Sequence, residues 1–284
     1  MFGIFKSKPI LSKEDPDFQI ATFKWLLKHF GGDDFYKHAT LVLPTREFFP
    51  SKVESEEEAA RETFQVVKKY AGMEEWVCRL EAQEEDLSTQ VAPTLTIQNA
   101  PQNPLGTFEA RENDEIVITY NPTIVANPTQ LVATLAHELS HYLTATSPTE
   151  PPGGWENWEF STDIAATFLG FGVFMSNSAF SFQQFTGSDS QGWAFNRSGY
   201  LSEEEHIYSL AIFLLLKDVE VETAIVHLKP NLRKILKKCI KELSATEYLY
   251  ELKTVEHLSV THSNLSQQDA ASGAFAKGVH ASRS

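Results

Sequence analysis

Stretches with a helical apolar period alternate along this chain with shorter runs that read as strands. Residues 17–30, with Phe23, Trp25, Leu26, Leu27 and Phe30 apolar, predict a first helix. Thr40-Leu-Val-Leu-Pro44 reads as a short strand. Residues 54–70 follow as an acidic helix whose inner stripe is Ala60, Phe64, Val67 and Tyr70 and whose first turn is rich in glutamate. Three further strands are expected at Thr94–Ile97, Gly106–Glu109 and Glu115–Tyr120, separated by turns rich in Pro and Asn.

The clearest helix comes next. Asn127-Pro128-Thr129-Gln130 supplies an N-cap, a proline at the first helical position and Gln at the third, a capping-box arrangement with Asn in place of Ser or Thr. Leu131, Val132, Leu135, Ala136, Leu139 and Leu143 continue at helical spacing, and the cluster Pro148, Pro151-Pro152, Gly153-Gly154 ends the segment. The longest apolar run, Ile164 to Met175, holds two glycines and is too short to span a bilayer, so it predicts a buried helix. Ser176 to Gly199 is polar but carries Phe180, Phe182, Phe185, Trp193 and Phe195, and reads as a long loop over a cleft. Ser202-Glu-Glu-Glu205 is a capping box that opens a helix with Ile207, Leu210, Ala211, Leu214 and Leu215. A last amphipathic helix sets Leu232, Ile235, Leu236, Cys239, Ile240 and Leu243 against a basic opposite face; its apolar stripe is expected to face the core rather than a membrane. From Ser259 onward the chain is poor in large apolar groups and reads as a disordered tail. Residues 1–150 thus form an N-terminal subdomain with a small sheet, residues 151–258 a helical subdomain, and residues 259–284 the tail.

The predicted helix that starts at Asn127-Pro128 contains His137-Glu138-Leu139-Ser140-His141. Residues four apart share a helix face, so both imidazoles can address one metal ion, with Glu138 close to a metal-activated water. Catalytic zinc usually has three protein ligands and an open position, so a third side chain is needed. Glu159, at the start of the next helix, is the candidate, and Asp163 shares its face one turn on. Asp163 can then accept the spare N–H of a ligand histidine, which fixes the tautomer. Glu156, one turn earlier, and Asp163 itself remain alternative ligands.

His137-Glu-Leu-Ser-His141 followed by Glu159-Phe-Ser-Thr-Asp163 resembles the HExxH and ExxxD pattern of the gluzincin zinc peptidases, over about residues 115 to 175. The resemblance implies a zincin-like α+β fold, with a small mixed sheet and the active-site helix in the N-terminal half and a helical C-terminal half. It implies one Zn²⁺ held by His137, His141 and Glu159, with Glu138 as general base and Asp163 orienting a histidine. The expected activity is hydrolysis of a peptide or protein substrate, and Gly106–Glu109 is the candidate edge strand for pairing with an extended peptide. Tyr200, His206 and Arg197 are candidates for stabilising the oxyanion. The loop after His141 lacks the glycine and third histidine of metzincins. Downstream, Thr162–Phe174 is similar to bacterial proteins of unassigned function that carry a like motif. The contrasting expectation is a catalytically silent domain that binds a protein partner.

Composition narrows the field. A chain of 284 residues with 42% hydrophobic and 12% aromatic content can bury a substantial core. A formal net charge of −14 argues against nucleic-acid binding, which needs a basic surface. Cys78 and Cys239 are far apart and lack zinc-finger spacing, so reduced thiols in a cytoplasmic protein are expected. The first residues lack an apolar stretch of signal-peptide length, and no stable membrane insertion is expected. Between positions 54 and 86, eleven acids face four bases, which reads as a solvated face.

Overall fold

A computed structural model describes residues 9–12, 14–50, 52–84, 90–92, 95–96, 104–111, 115–186 and 200–258, with 90–92, 95–96 and 180–186 as backbone alone. The fold is mixed α/β and mostly helical, with one small three-stranded sheet. The first helix, α1 (Asp15–Leu26), carries a proline and two acids in its first turn. It loosens into a π turn at Leu27–Gly31 and resumes as α2 (Gly32–His38), where Gly32 supplies a φ of 64° that other residues rarely adopt. Ser55 caps α3 (Glu56–Tyr70) by accepting the N–H of Glu58, and three glutamates complement the positive end of the helix.

The sheet is built from β1 (Arg79–Ala82), β4 (Gly106–Ala110) and β5 (Ile116–Tyr120) in the order β1-β5-β4. β5 is buried along its length, β1 runs parallel to it and β4 antiparallel, with Gly106 opposite Tyr120 and Ala110 opposite Ile116. Among the described residues β4 is therefore an edge strand. A separate antiparallel pair joins β2 (Gln90–Ala92) and β3 (Leu95–Thr96), the part of the expected strand 94–97 that falls within the described residues.

Against this sheet lies α4 (Pro128–Ala145), capped by Asn127, whose Oδ1 accepts the N–H of Gln130. Every residue from Gln130 to Ala145 is buried, so α4 is the central helix of the molecule. Gly153 and Gly154, both at φ 77°, turn the chain back into α5 (Trp158–Ala166). A π turn at Thr167–Phe171 joins α5 to α6 (Gly172–Thr186). Beyond residue 200 come α7 (Glu203–Leu216), α8 (Val221–Ile225), α9 (Pro230–Leu243) and α10 (Tyr248–Lys253). The capping box of α7 forms as expected, and α9 buries Leu232, Leu236, Cys239 and Leu243. One hydrophobic cluster runs from Leu11 to Leu252. No helix among the described residues is long and apolar enough to cross a membrane.

Three sequence expectations change. Thr40–Pro44 forms no strand; it runs beside the π turn, where the Val42 N–H donates to the Gly170 carbonyl at 2.9 Å. The expected loop from Ser176 is instead helical as far as Thr186. Its polar start is compatible with a buried helix because Ser176 donates to the Gly172 carbonyl at 2.7 Å and Asn177 reaches the His227 carbonyl at 2.8 Å. The acidic stretch 54–86 conceals β1, whose Leu80 is paired with Ile118 of β5. Trp193, Phe195 and the expected tail lie outside the described residues.

Candidate metal centre

A helix buried on all sides should carry few polar groups, yet α4 holds His137, Glu138 and His141 in its middle. The two histidines point their Nε2 atoms at each other, 3.0 Å apart. The Glu159 carboxylate closes the triangle, with Oε2 3.3 Å from each Nε2. Donors held about 2.0–2.1 Å from a tetrahedral zinc would lie about 3.3 Å from one another, so this donor set fits such an ion. His137, His141 and Glu159 form the one group among the described residues whose donor atoms converge in this way. The Glu159 side chain is 49% exposed, which leaves the triangle open to solvent on that side.

Glu159 reaches the histidines because α5 packs alongside α4. The Trp158 indole N–H donates to the Thr144 hydroxyl at 2.8 Å and locks the first turn of α5 in place. One turn beyond Glu159, Asp163 is fully buried, and its Oδ1 accepts from His137 Nδ1 at 2.9 Å. That bond leaves Nε2 of His137 as the donor facing the triangle. The other oxygen, Oδ2, accepts the backbone N–H of Leu201 at 2.9 Å. Thr162 stands 3.3 Å from His141 Nδ1 and orients the second ring in the same manner. Glu156 is exposed in a 3₁₀ turn, Trp155–Asn157, outside the converging group.

The electrostatics follow from this arrangement. Burial works against a charge on His137, but the hydrogen bonds it donates to Asp163 and Glu159 outweigh it and hold its pKa well above the ordinary value. Burial likewise opposes ionisation of Glu159, while His141 and His137 keep its carboxyl well below the usual range. A cation held by these atoms would replace the proton that the carboxylates favour on His137. Burial raises the pKa of Glu138, partly offset by the two histidines.

Aromatic rings wall the site. His141 lies between Phe108 of β4, near parallel at 6.4 Å, and Trp158, edge-on at 4.7 Å. The Tyr200 ring stands 5.2 Å from that of His137, and burial together with Glu159 and Glu138 holds its phenol protonated far above neutral pH. β4 approaches α4 closely at Gly106, where a Cβ would lie 3.1 Å from Glu138 Cγ and 2.7 Å from Thr134 Cγ2.

Of the three expected oxyanion donors, Tyr200 stands beside the triangle. His206 is fully buried and faces Asp163, with Nε2 3.6 Å from Oδ2. Arg197 lies outside the described residues. The sequence reading missed Phe108, Trp158, Thr162 and the Leu201 N–H. Trp158 had a signal in its position next to Glu159; the others are brought in by pairing and packing between distant segments. Comparison of the chain with protein-family models, curated proteins and solved structures finds no match.

Proposed function

We propose that this chain is a zincin-like, zinc-dependent metallopeptidase of the gluzincin type, with His137, His141 and Glu159 as ligands of one Zn²⁺. The observation that carries the reading is the convergence of these three donors, at separations of 3.0 to 3.3 Å, beside a buried glutamate. Zinc at such a site lowers the pKa of bound water toward neutrality and polarises a carbonyl.

The rest of the chemistry belongs to the protein. Glu138 takes the proton of the attacking water and passes it to the leaving amine. Its raised pKa suits both halves of that exchange, because the base must also release the proton. Asp163 and Thr162 keep the histidine rings turned toward the metal position. Tyr200 remains protonated and so can donate to the oxyanion that forms as water adds to the carbonyl. Phe108 and Trp158 flank His141 and shield that side of the site from bulk water.

Elemental analysis of the purified protein and of Glu159→Ala tests the metal set. About one zinc per chain in the first and a large loss in the second are expected. A wild-type protein that stays zinc-free after reconstitution would overturn the reading. Peptidase action is tested with a quenched-fluorescent peptide library: Glu138→Gln should retain zinc and lose turnover by about two to four orders of magnitude. Equal cleavage by wild type and variant would sink the mechanism.

A further inference from the structure

We propose that His206 is a positioning residue of the metal centre: by holding the second oxygen of Asp163 it keeps the His137 ring aimed at the ion and so sets how tightly the ion is bound. The inference rests on the ligand set proposed above and adds a residue that acts on it through another. His206 lies in the first turn of α7 and is fully buried, with Nε2 3.6 Å from Asp163 Oδ2. Neither ring nitrogen has a hydrogen-bond partner among the described residues. Burying two such nitrogens opposes folding, whereas an apolar side chain would fill the space without that penalty.

The geometry names the partner. A carboxylate oxygen has no hydrogen to give, so the ring nitrogen that faces it carries one and donates. Asp163 has room for that bond. Its Oδ1 takes the His137 Nδ1–H at 2.9 Å and its Oδ2 the Leu201 N–H at 2.9 Å, which leaves lone pairs on a fully buried carboxylate. Among the described residues, His206 is the remaining donor beside Oδ2. The separation exceeds an ordinary N–H···O bond by about 0.6 Å, a distance that a small turn of the imidazole closes.

The helix that carries His206 is itself held in place. Gln19 of α1, buried at 1% exposure, donates to the Glu205 carbonyl at 3.2 Å and accepts the Ser209 hydroxyl, so bonds on both sides of His206 tie α7 to α1. Leu201, just before this helix, supplies the other donor to Oδ2, so the start of α7 addresses one oxygen with two groups. A single bond to Oδ2 leaves the carboxylate free to turn about that contact. Two fix its plane, and with it the Oδ1 that orients the His137 ring. Burial lowers the pKa of His206, so the donor is neutral and steadies Asp163 without cancelling the negative charge that faces His137.

Competition for zinc between the full chain and a chromogenic chelator tests this in His206→Leu, His206→Gln, Asp163→Ala and the double variant of His206→Leu with Asp163→Ala. Leucine removes the donor and should weaken zinc binding about tenfold or more, while the melting temperature of the metal-free protein stays the same or rises. Glutamine places an amide N–H near the position of Nε2 and should bring the affinity back to within about threefold of wild type. In the Asp163→Ala background, His206→Leu should change zinc affinity by less than about twofold, because the histidine acts through that carboxylate. Equal affinity in wild type and His206→Leu, equal loss in the leucine and glutamine variants, or an undiminished effect of His206→Leu without Asp163 would overturn the inference and leave the ligand set standing. A wild type that binds no zinc would overturn the ligand set and the inference together.

Discussion

At the scale of single residues, the site depends on buried side chains that hold its donors from behind. Asp163 is the clearest case, since one carboxylate serves His137 Nδ1 and the Leu201 N–H while His206 stands behind it. Asp163→Asn keeps the shape but replaces an acceptor by an amide that must present one NH₂ to a donor. Zinc affinity should fall about 10- to 100-fold, measured by competition with a chromogenic chelator, with the fold retained by circular dichroism. Unchanged affinity would mean that Asp163 only fills space. Gly106 is as exacting for a steric reason. An added Cβ would lie 2.7 Å from Thr134 Cγ2, 2.9 Å from the Thr119 carbonyl and 3.1 Å from Glu138 Cγ. Backbone cannot yield as a flexible side chain can, so Gly106→Ala should cost about 1–3 kcal/mol in urea unfolding and displace Glu138, lowering turnover as well.

At the scale of elements, what is local in cause was legible and what is pairwise was not. Asn127, Pro128 and Gln130 announce the start of α4, and the cap forms through the Asn127 side chain. Asn127→Ala should therefore cost about 1 kcal/mol of stability by urea midpoint. The spacing of His137, His141, Glu159 and Asp163 gave the converging faces, because two helices carry them and helical spacing is regular. β1 was hidden, since Arg79–Ala82 has no alternation of its own and becomes a strand through its parallel partner β5. The π turn before α6 was equally invisible: Gly170 takes a φ of 104° to let the Thr40 carbonyl approach, a contact between distant segments. Ser176 and Asn177 read as loop because their hydrogen bonds to Gly172 and His227 are features of the fold, not of composition.

At the scale of the molecule, a bound metal and protons would both act on the same core. The donor triangle joins α4, the central helix, to α5, so a bound cation crosslinks segments that unfolding would separate. With free zinc at about 1,000 times its dissociation constant, linkage adds about 4 kcal/mol, so chelation should lower the melting temperature by several degrees and reconstitution restore it. Equal melting temperatures would show that the site is not filled in the folded chain. Protons act separately through His29, which is buried beside Thr149 and whose pKa is lowered from 6.5 by burial, then by Lys28 and His257. The unfolded chain takes up this proton near pH 6.5, whereas the folded chain takes it up only at lower pH. Between those values the unfolded state holds more protons, so this contribution is fully present above pH 6.5 and is lost as the pH falls through the interval. Urea midpoints at pH 7.5 and 5.5 should therefore differ less in His29→Asn than in wild type. The same pH sensitivity in both proteins would place the acid-labile group elsewhere, and His206, also held below its ordinary value by burial, would be the next to substitute.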